Sequence, residues 1–265
     1  MYRIKRKMTY VIIFLMAVFI LPLPVRAEEE TGMPPHLIQS VSDRDIYEGM
    51  VALDMLACPI PEIPDCEKAY ENVRNCVVRI DMGNAYGSGI IWQLTEDAVI
   101  VATNQHVLEY WKDATSFLYF PQGYYANARI LGVSEEYDVG FLTADCAEFS
   151  YEELLTLRHV YIDETVYEEL KQGDAMFCAG AGAGVGDMEY HEGTMEDAWR
   201  YIDLFEKEML YGHGFAKAGM SGGGTFDSYG HLIGMTAGGT QQNETASVPL
   251  PSILSAYEEV TGNSP

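Results

Sequence analysis

The chain has 265 residues, 48% of them apolar and 21% charged, with 16 Lys and Arg against 40 Asp and Glu for a formal charge of −24. That apolar share supports a globular core, and the acidic excess excludes a nucleic-acid partner, whose phosphates demand cations, and disfavours anionic membrane surfaces. Five cysteines without a C-x-x-C pair and six histidines without zinc-ligand spacing give no metal site and no cofactor to expect.

Arg3, Lys5, Arg6 and Lys7 precede an unbroken apolar run from Tyr10 to Leu21, followed by Pro22, Pro24 and Val25-Arg26-Ala27. The run is shorter than the roughly 20 residues of a membrane span. A charged start, an apolar centre and a small-residue cleavage site read as an export signal over residues 1–27, so the protein is expected to be secreted or cell-surface. A retained membrane anchor is the alternative. Cleavage removes five cations (Arg3, Lys5, Arg6, Lys7, Arg26) and no acid, leaving 11 Lys and Arg against 40 acids, a formal charge of −29. No stable membrane association is expected after that.

Residues 28–71 read as an acidic, proline-rich leader, mobile over 28–48, broken by Pro59, Pro61 and Pro64, with a helical turn at Glu67–Val73. Export permits disulfides, and an odd cysteine count leaves at least one thiol free. Cys58 and Cys66 flank the proline-rich loop and are the expected pair; Cys76 and Cys178 lie in apolar runs and read as buried thiols.

From Cys76 onward, short β-branched and aromatic runs alternate with turn residues: Cys76–Met82, Tyr86–Leu94, Ala98–Thr103, Ser116–Phe120, Tyr125–Val133 and Val139–Ala144. Close, regular spacing without a long helical period predicts an antiparallel barrel or sandwich over 72–146. Residues 147–172 read as a connector with a helical turn. A second β series occupies 173–265: Ala175–Ala179, a Gly-Ala turn at 180–186, Glu189–Thr194, Trp199–Glu206, Met209–Phe215, Gly223–Phe226, Leu232–Thr236 and Ala246–Val248. Pro251–Val260, with proline in its first turn and Ile253, Leu254, Tyr257 and Val260 at helical spacing, predicts a short terminal helix.

Chemistry concentrates at three places. Gly219-Met220-Ser221-Gly222-Gly223-Gly224 sets a serine among glycines, where the backbone turns sharply and N–H groups point outward as donors for negative charge. A hydroxyl over such donors suits acyl transfer, but it needs a base. His106, in Thr103-Asn104-Gln105-His106-Val107, leaves a buried-looking strand; His231 falls in a hairpin turn and reads as surface. A catalytic imidazole also needs an acceptor on its other nitrogen, and Asp138 starts the strand Val139-Gly140-Phe141-Leu142.

In the order His106, Asp138, Ser221, together with Gly87-Ser88-Gly89-Ile90-Ile91 and the run from Gly230 to Ile233-Gly234-Met235, these motifs resemble the chymotrypsin-like (trypsin-like) serine proteases. Within them the likeness is to the bacterial HtrA/Do-like or glutamyl-endopeptidase-like branch, and it spans roughly residues 72–260. It implies an all-β fold of two antiparallel six-stranded β-barrels with a short C-terminal helix, and a protein or peptide substrate. It implies Ser221 as nucleophile, His106 as base, Asp138 as its orienting acid, and the N–H groups of Gly219 and Ser221 as oxyanion hole. It also implies a substrate pocket walled by Ala237, Gly238 and Gly239. Phe215 at its base would favour small aliphatic side chains, while Lys217 offers the alternative of attracting an acidic one.

Two residues depart from the family pattern. Gly224 stands where proline is common, and Met220 where Asn or Asp is usual. Both leave a weak enzyme, or a non-catalytic binding module on a protease scaffold, as the alternative function. The G-x-S-x-G pattern of Gly219–Gly223 also fits an α/β-hydrolase elbow. That fold needs its acid and histidine after the serine, and only His231 follows.

Overall fold

The computed structural model describes residues 41–263. The export signal expected at 1–27 and the first part of the expected leader lie outside the described residues. Two β units carry the fold. β1 (Val77–Asp81), β2 (Tyr86–Leu94), β3 (Ala98–Thr103), β4 (Phe117–Tyr119), β5 (Tyr125–Ala126), β6 (Arg129–Ser134) and β7 (Val139–Asp145) form a seven-stranded sheet in the order β5-β4-β1-β2-β3-β7-β6. β8 (Ala175–Ala181), β9 (Met188–Ile202), β10 (Lys207–Gly214), β11 (Gly224–Asp227), β12 (Leu232–Gly239) and β13 (Glu244–Pro249) close into a barrel in the order β10-β13-β12-β11-β8-β9. Both units are antiparallel, as the all-β reading requires. The second has the expected six strands; the first is a half-barrel with one more, because the run expected over 125–133 breaks at Asn127-Ala128 into β5 and β6.

β9 merges two expected strands into one of 15 residues. No Gly, Pro or Asn interrupts Met195-Glu196-Asp197-Ala198, so the ladder with β10 continues through a bulge and turns only at Asp203–Glu206.

Among the described residues there are also six α-helices, α1 (Asp43–Ala52), α2 (Cys66–Val73), α3 (Gln105–Leu108), α4 (Tyr151–Leu154), α5 (Glu164–Glu168) and α6 (Leu250–Thr261), and two short 3-10 turns. α1 corrects the expectation of a mobile leader up to residue 48. Ser42 and Asp45 form a reciprocal capping box, and Tyr47 is fully buried with its hydroxyl donating to Thr95 O at 2.8 Å. α6 starts with Pro251 in its first turn and ends at Gly262 in the left-handed conformation. It leaves the second unit and packs on the first. Tyr257 lies 5.7 Å from the Trp92 ring and 5.2 Å from Phe141, and its hydroxyl donates to Gln93 Oε1 at 2.7 Å. The helix therefore ties the two β units together from behind.

All five cysteines are free thiols, so the expected Cys58–Cys66 pair is not formed. The Cys58 thiol instead meets Cys76, and burial pushes the Cys76 thiol well above its ordinary value. The proline-rich loop turns inward at Cys58 because its backbone pairs with His159 in both directions, at 2.8 and 3.0 Å.

Candidate active site

β3 ends at Thr103 and leads through Asn104 into α3, so His106 stands three residues beyond the end of a rigid sheet strand. β7 pairs with β3 through Thr103↔Gly140, which brings Asp138 to the same rim. Asp138 adopts φ +54°, a left-handed conformation disfavoured for a residue with a Cβ. The neighbouring loop holds it there: Gln105 N–H and Asn104 Nδ2 donate to its carbonyl at 3.1 and 3.2 Å. Its carboxylate then grips the histidine twice. Oδ1 accepts the His106 backbone N–H at 3.0 Å, and Oδ2 lies 2.9 Å from the ring Nδ1. A carboxylate at Nδ1 favours the tautomer protonated there and leaves Nε2 with a lone pair.

The serine loop connects the second barrel to the first sheet. Gly219 and Gly222 have φ +97° and +88°, and a Cβ on either would also collide, with the Tyr86 ring and with Ser88 O and Thr103 Oγ1 respectively. Ser88 of β2 is fully buried and fastens the loop at two carbonyls. Its N–H donates to Ser221 O at 2.8 Å and its Oγ to Gly219 O at 2.7 Å. Thr103 Oγ1 in turn donates to Ser88 O at 2.7 Å, so the strand that presents His106 and the loop that presents Ser221 share one anchor.

Within the loop, Met220 N–H donates to Lys217 O at 3.0 Å, Gly222 N–H to Thr236 O at 2.9 Å and Gly223 N–H to Met220 O at 2.9 Å. The N–H groups of Gly219 and Ser221 have no partner among the described residues. Two unspent donors thus flank the serine, which is the arrangement a developing oxyanion needs. The Ser221 hydroxyl donates to Ala237 O at 3.1 Å rather than to His106. The structure joins His106 to Asp138 directly, and ties the Ser221 loop to the strand that leads to His106 through Ser88 and Thr103.

Both departures from the family pattern have local causes. Met220 is fully buried and packs with Cys178 and Ala216, so the residue before the serine is an apolar anchor. Gly224 opens β11, pairs with Ala179 and Met235, and meets the Phe226 ring where a Cβ would stand. Two strand ladders hold the loop end that proline would otherwise preset.

Ala237, Gly238 and Gly239 line a cavity of about 630 Å³ with Ile202, Phe205 and Tyr211. Phe215 is not part of it. Its side chain turns outward after β10, 37% exposed, and packs edge-on to His191 at 5.0 Å. Ala216, the next residue, points the other way and meets Gly239. Lys217 is paired with Glu189 at 2.7 Å. Sequence reasoning passed over Ser88 and Asn104 as working residues although both stand inside its motifs; buried polar side chains beside glycines or a histidine were the available signal.

The family model of the trypsin-like peptidase domain matches residues 87–235. No curated protein matches the chain. Among solved structures, a serine-to-alanine form of the HtrA-type protease AlgW with a tripeptide aligns with TM-score 0.62 and 18% identity over 74% of this chain and 63% of that one. Rv3671c from M. tuberculosis, an inactive serine-to-alanine mutant, aligns with TM-score 0.59 and 16% identity over 78% of this chain and 99% of that one. The chain thus spans under two thirds of the AlgW chain, and the likeness to both is one of fold.

Proposed function

The chain belongs to the trypsin-like peptidase family of serine endopeptidases, and from that premise we propose that it cleaves protein or peptide substrates through His106, Asp138 and Ser221 acting as one unit. Ser221 Oγ attacks the scissile carbonyl while His106 Nε2 takes its proton. The carbonyl oxygen, now charged, accepts from the N–H groups of Gly219 and Ser221. His106 returns the proton to the leaving amine, and an acyl group remains on Ser221. Water, activated by the same imidazole, then releases it. Asp138 holds the ring in register and stabilises its cationic form throughout. The observation that carries this reading is the combination of the oriented His106–Asp138 pair with two unspent N–H groups at Ser221, on a strand and a loop that share the Ser88–Thr103 anchor.

For specificity, the cavity walled by Ala237–Gly239 with Ile202, Phe205 and Tyr211 suits an apolar side chain. Lys217 is engaged by Glu189 and is a poor lure for an acidic one. Export by residues 1–27 belongs to the same proposal. N-terminal sequencing of the released protein should start at Glu28, and a protein that keeps its first residues would be an anchored one.

The bond from Ser221 Oγ to Ala237 O favours a second reading, a latent or weak enzyme. The hydroxyl must rotate toward His106 before attack; if it never does, the scaffold binds peptides without cutting them. A fluorophosphonate probe separates the two. Wild type labelled at Ser221, with Ser221→Ala unlabelled, supports the protease, whereas an unlabelled wild type that still binds peptide supports the module.

A further inference from the structure

We propose that Tyr86 is a positioning residue for the oxyanion hole, held in place by Arg79; the proposal rests on Ser221 being the nucleophile. Tyr86 is the first residue of β2, an interior strand of the first sheet, and reaches the serine loop. Its ring covers Gly219 on the side where any other residue would carry its Cβ, and its hydroxyl donates to Ala218 O at 3.4 Å.

A trans peptide is planar, so its carbonyl and its N–H point in opposite directions. Holding Ala218 O therefore aims the Gly219 N–H, one of the two unspent donors. The next peptides already have internal supports. Gly219 O is tied to Ser88 Oγ, and Met220 N–H to Lys217 O. The Ala218–Gly219 peptide is the exception, and glycine at φ +97° does little by itself to resist its rotation. Tyr86 is the side chain that contacts it from both ends, by ring and by hydroxyl.

Arg79 supplies the backing. Its side chain is 6% exposed, its guanidinium lies 3.9 Å from the Tyr86 ring centroid, and its Nε donates to Asp81 Oδ2 at 3.1 Å. Its Nη1 donates to Gly182 O at 2.7 Å and Ala183 O at 3.3 Å, on the turn between β8 and β9. A buried cation with a carboxylate partner, two carbonyls and an aromatic face has little freedom to move. It fixes Tyr86 between the two β units, and through Tyr86 the donor that receives the oxyanion.

The test is steady-state hydrolysis of a peptide that wild type cleaves, with inhibition by an aldehyde of the same peptide, whose hemiacetal puts an oxyanion on those donors. Tyr86→Ala should lower kcat on the order of 10-fold to 100-fold with KM within about twofold, the loss expected for a misplaced catalytic group. Aldehyde affinity should fall with kcat. Tyr86→Phe keeps the ring over Gly219 but loses the bond to Ala218 O, and should recover only part of the rate. Arg79→Met should lie between them. Should Tyr86→Ala fail to fold, Tyr86→Leu keeps apolar bulk without ring or hydroxyl and is expected to show the same kcat loss at an unchanged melting temperature. An unchanged kcat in a folded Tyr86→Ala or Tyr86→Leu, or a loss confined to KM, overturns the proposal. A wild type that neither cleaves nor labels fails earlier, at the protease reading itself.

Discussion

Among the described residues, two histidine–aspartate pairs have nearly the same construction, and they differ in what lies around them. At the first, Asp138 accepts the His106 backbone N–H at 3.0 Å and faces its Nδ1 at 2.9 Å. At the second, Asp227 accepts the His231 backbone N–H at 2.9 Å and faces its Nδ1 at 2.8 Å. What differs is the other side of each ring. The His106 side chain is 40% exposed, and the strand leading to it is tied to the serine loop through Thr103 and Ser88. The His231 side chain is 16% exposed, lies against Tyr161 and Tyr229, and closes the turn between β11 and β12. The sequence-based expectation of a surface position for His231 is thereby corrected to a half-buried one. A carboxylate on Nδ1 is thus not a catalytic mark: it orients an imidazole, and the chemistry depends on what the free nitrogen meets.

The largest effects should break the first pair's unit. Ser221→Ala should lower kcat by about a million-fold, and adding His106→Ala should cost little more, because members of a catalytic unit are not additive. Asp138→Asn should lower kcat about ten-thousandfold, since an amide at Nδ1 admits the wrong tautomer. Peptide hydrolysis by purified variants of unchanged melting temperature checks both. Full activity in Asp138→Asn would mean that His106 works without its grip.

Removing the carboxylate of the second pair should do the opposite. Asp227→Ala leaves the N–H groups of Tyr229 and His231 and the His231 ring without their acceptor. Its expected cost is about 2–3 kcal/mol of stability, with kcat per folded molecule unchanged. Denaturant unfolding beside active-site titration reads both quantities, and an activity loss without destabilisation would erase the distinction.

How far the two pairs could be told apart in advance shows where sequence reading stops. The strand runs were legible because branched and aromatic residues alternate with glycine-rich turns, and β2 and β3 begin and end where expected. His106 stood out because it follows a strand exit. Asp227 and His231 lie four residues apart in a hairpin, and sequence spacing carries no sign of how deep such a turn sits. Burial there comes from Tyr161 and the connector packing over it, which are long-range contacts. The same reason hid α1: its capping box was readable, but the burial of Tyr47 depends on Thr95 across the fold. Phe215 is a different case. One residue decides which face of an extended segment looks inward, and Ala216 took that face.

Acid should separate the pairs most finely, because function and fold respond in different windows. If His106 is the base, its protonation in acid removes activity. The fold has its acid-sensitive groups lower. Asp163, which caps α5 and faces His231 from the connector, is held below the ordinary 3.8 chiefly by the Thr165 hydroxyl and backbone N–H, with His231 adding a smaller pull. A carboxyl whose folded value is depressed contributes stability above its unfolded value and loses it as the pH falls through the folded one. That places the onset below about pH 4, and Asp45 and Asp65 at the caps of α1 and α2 are lowered in the same direction. Above that onset, in acid, the protein should therefore be folded and silent, with activity returning on neutralisation. Asp163→Asn should slightly flatten the dependence of melting temperature on pH below 4 and leave the activity profile where it is. A melting temperature that falls together with activity would put the proton on the fold rather than on the base.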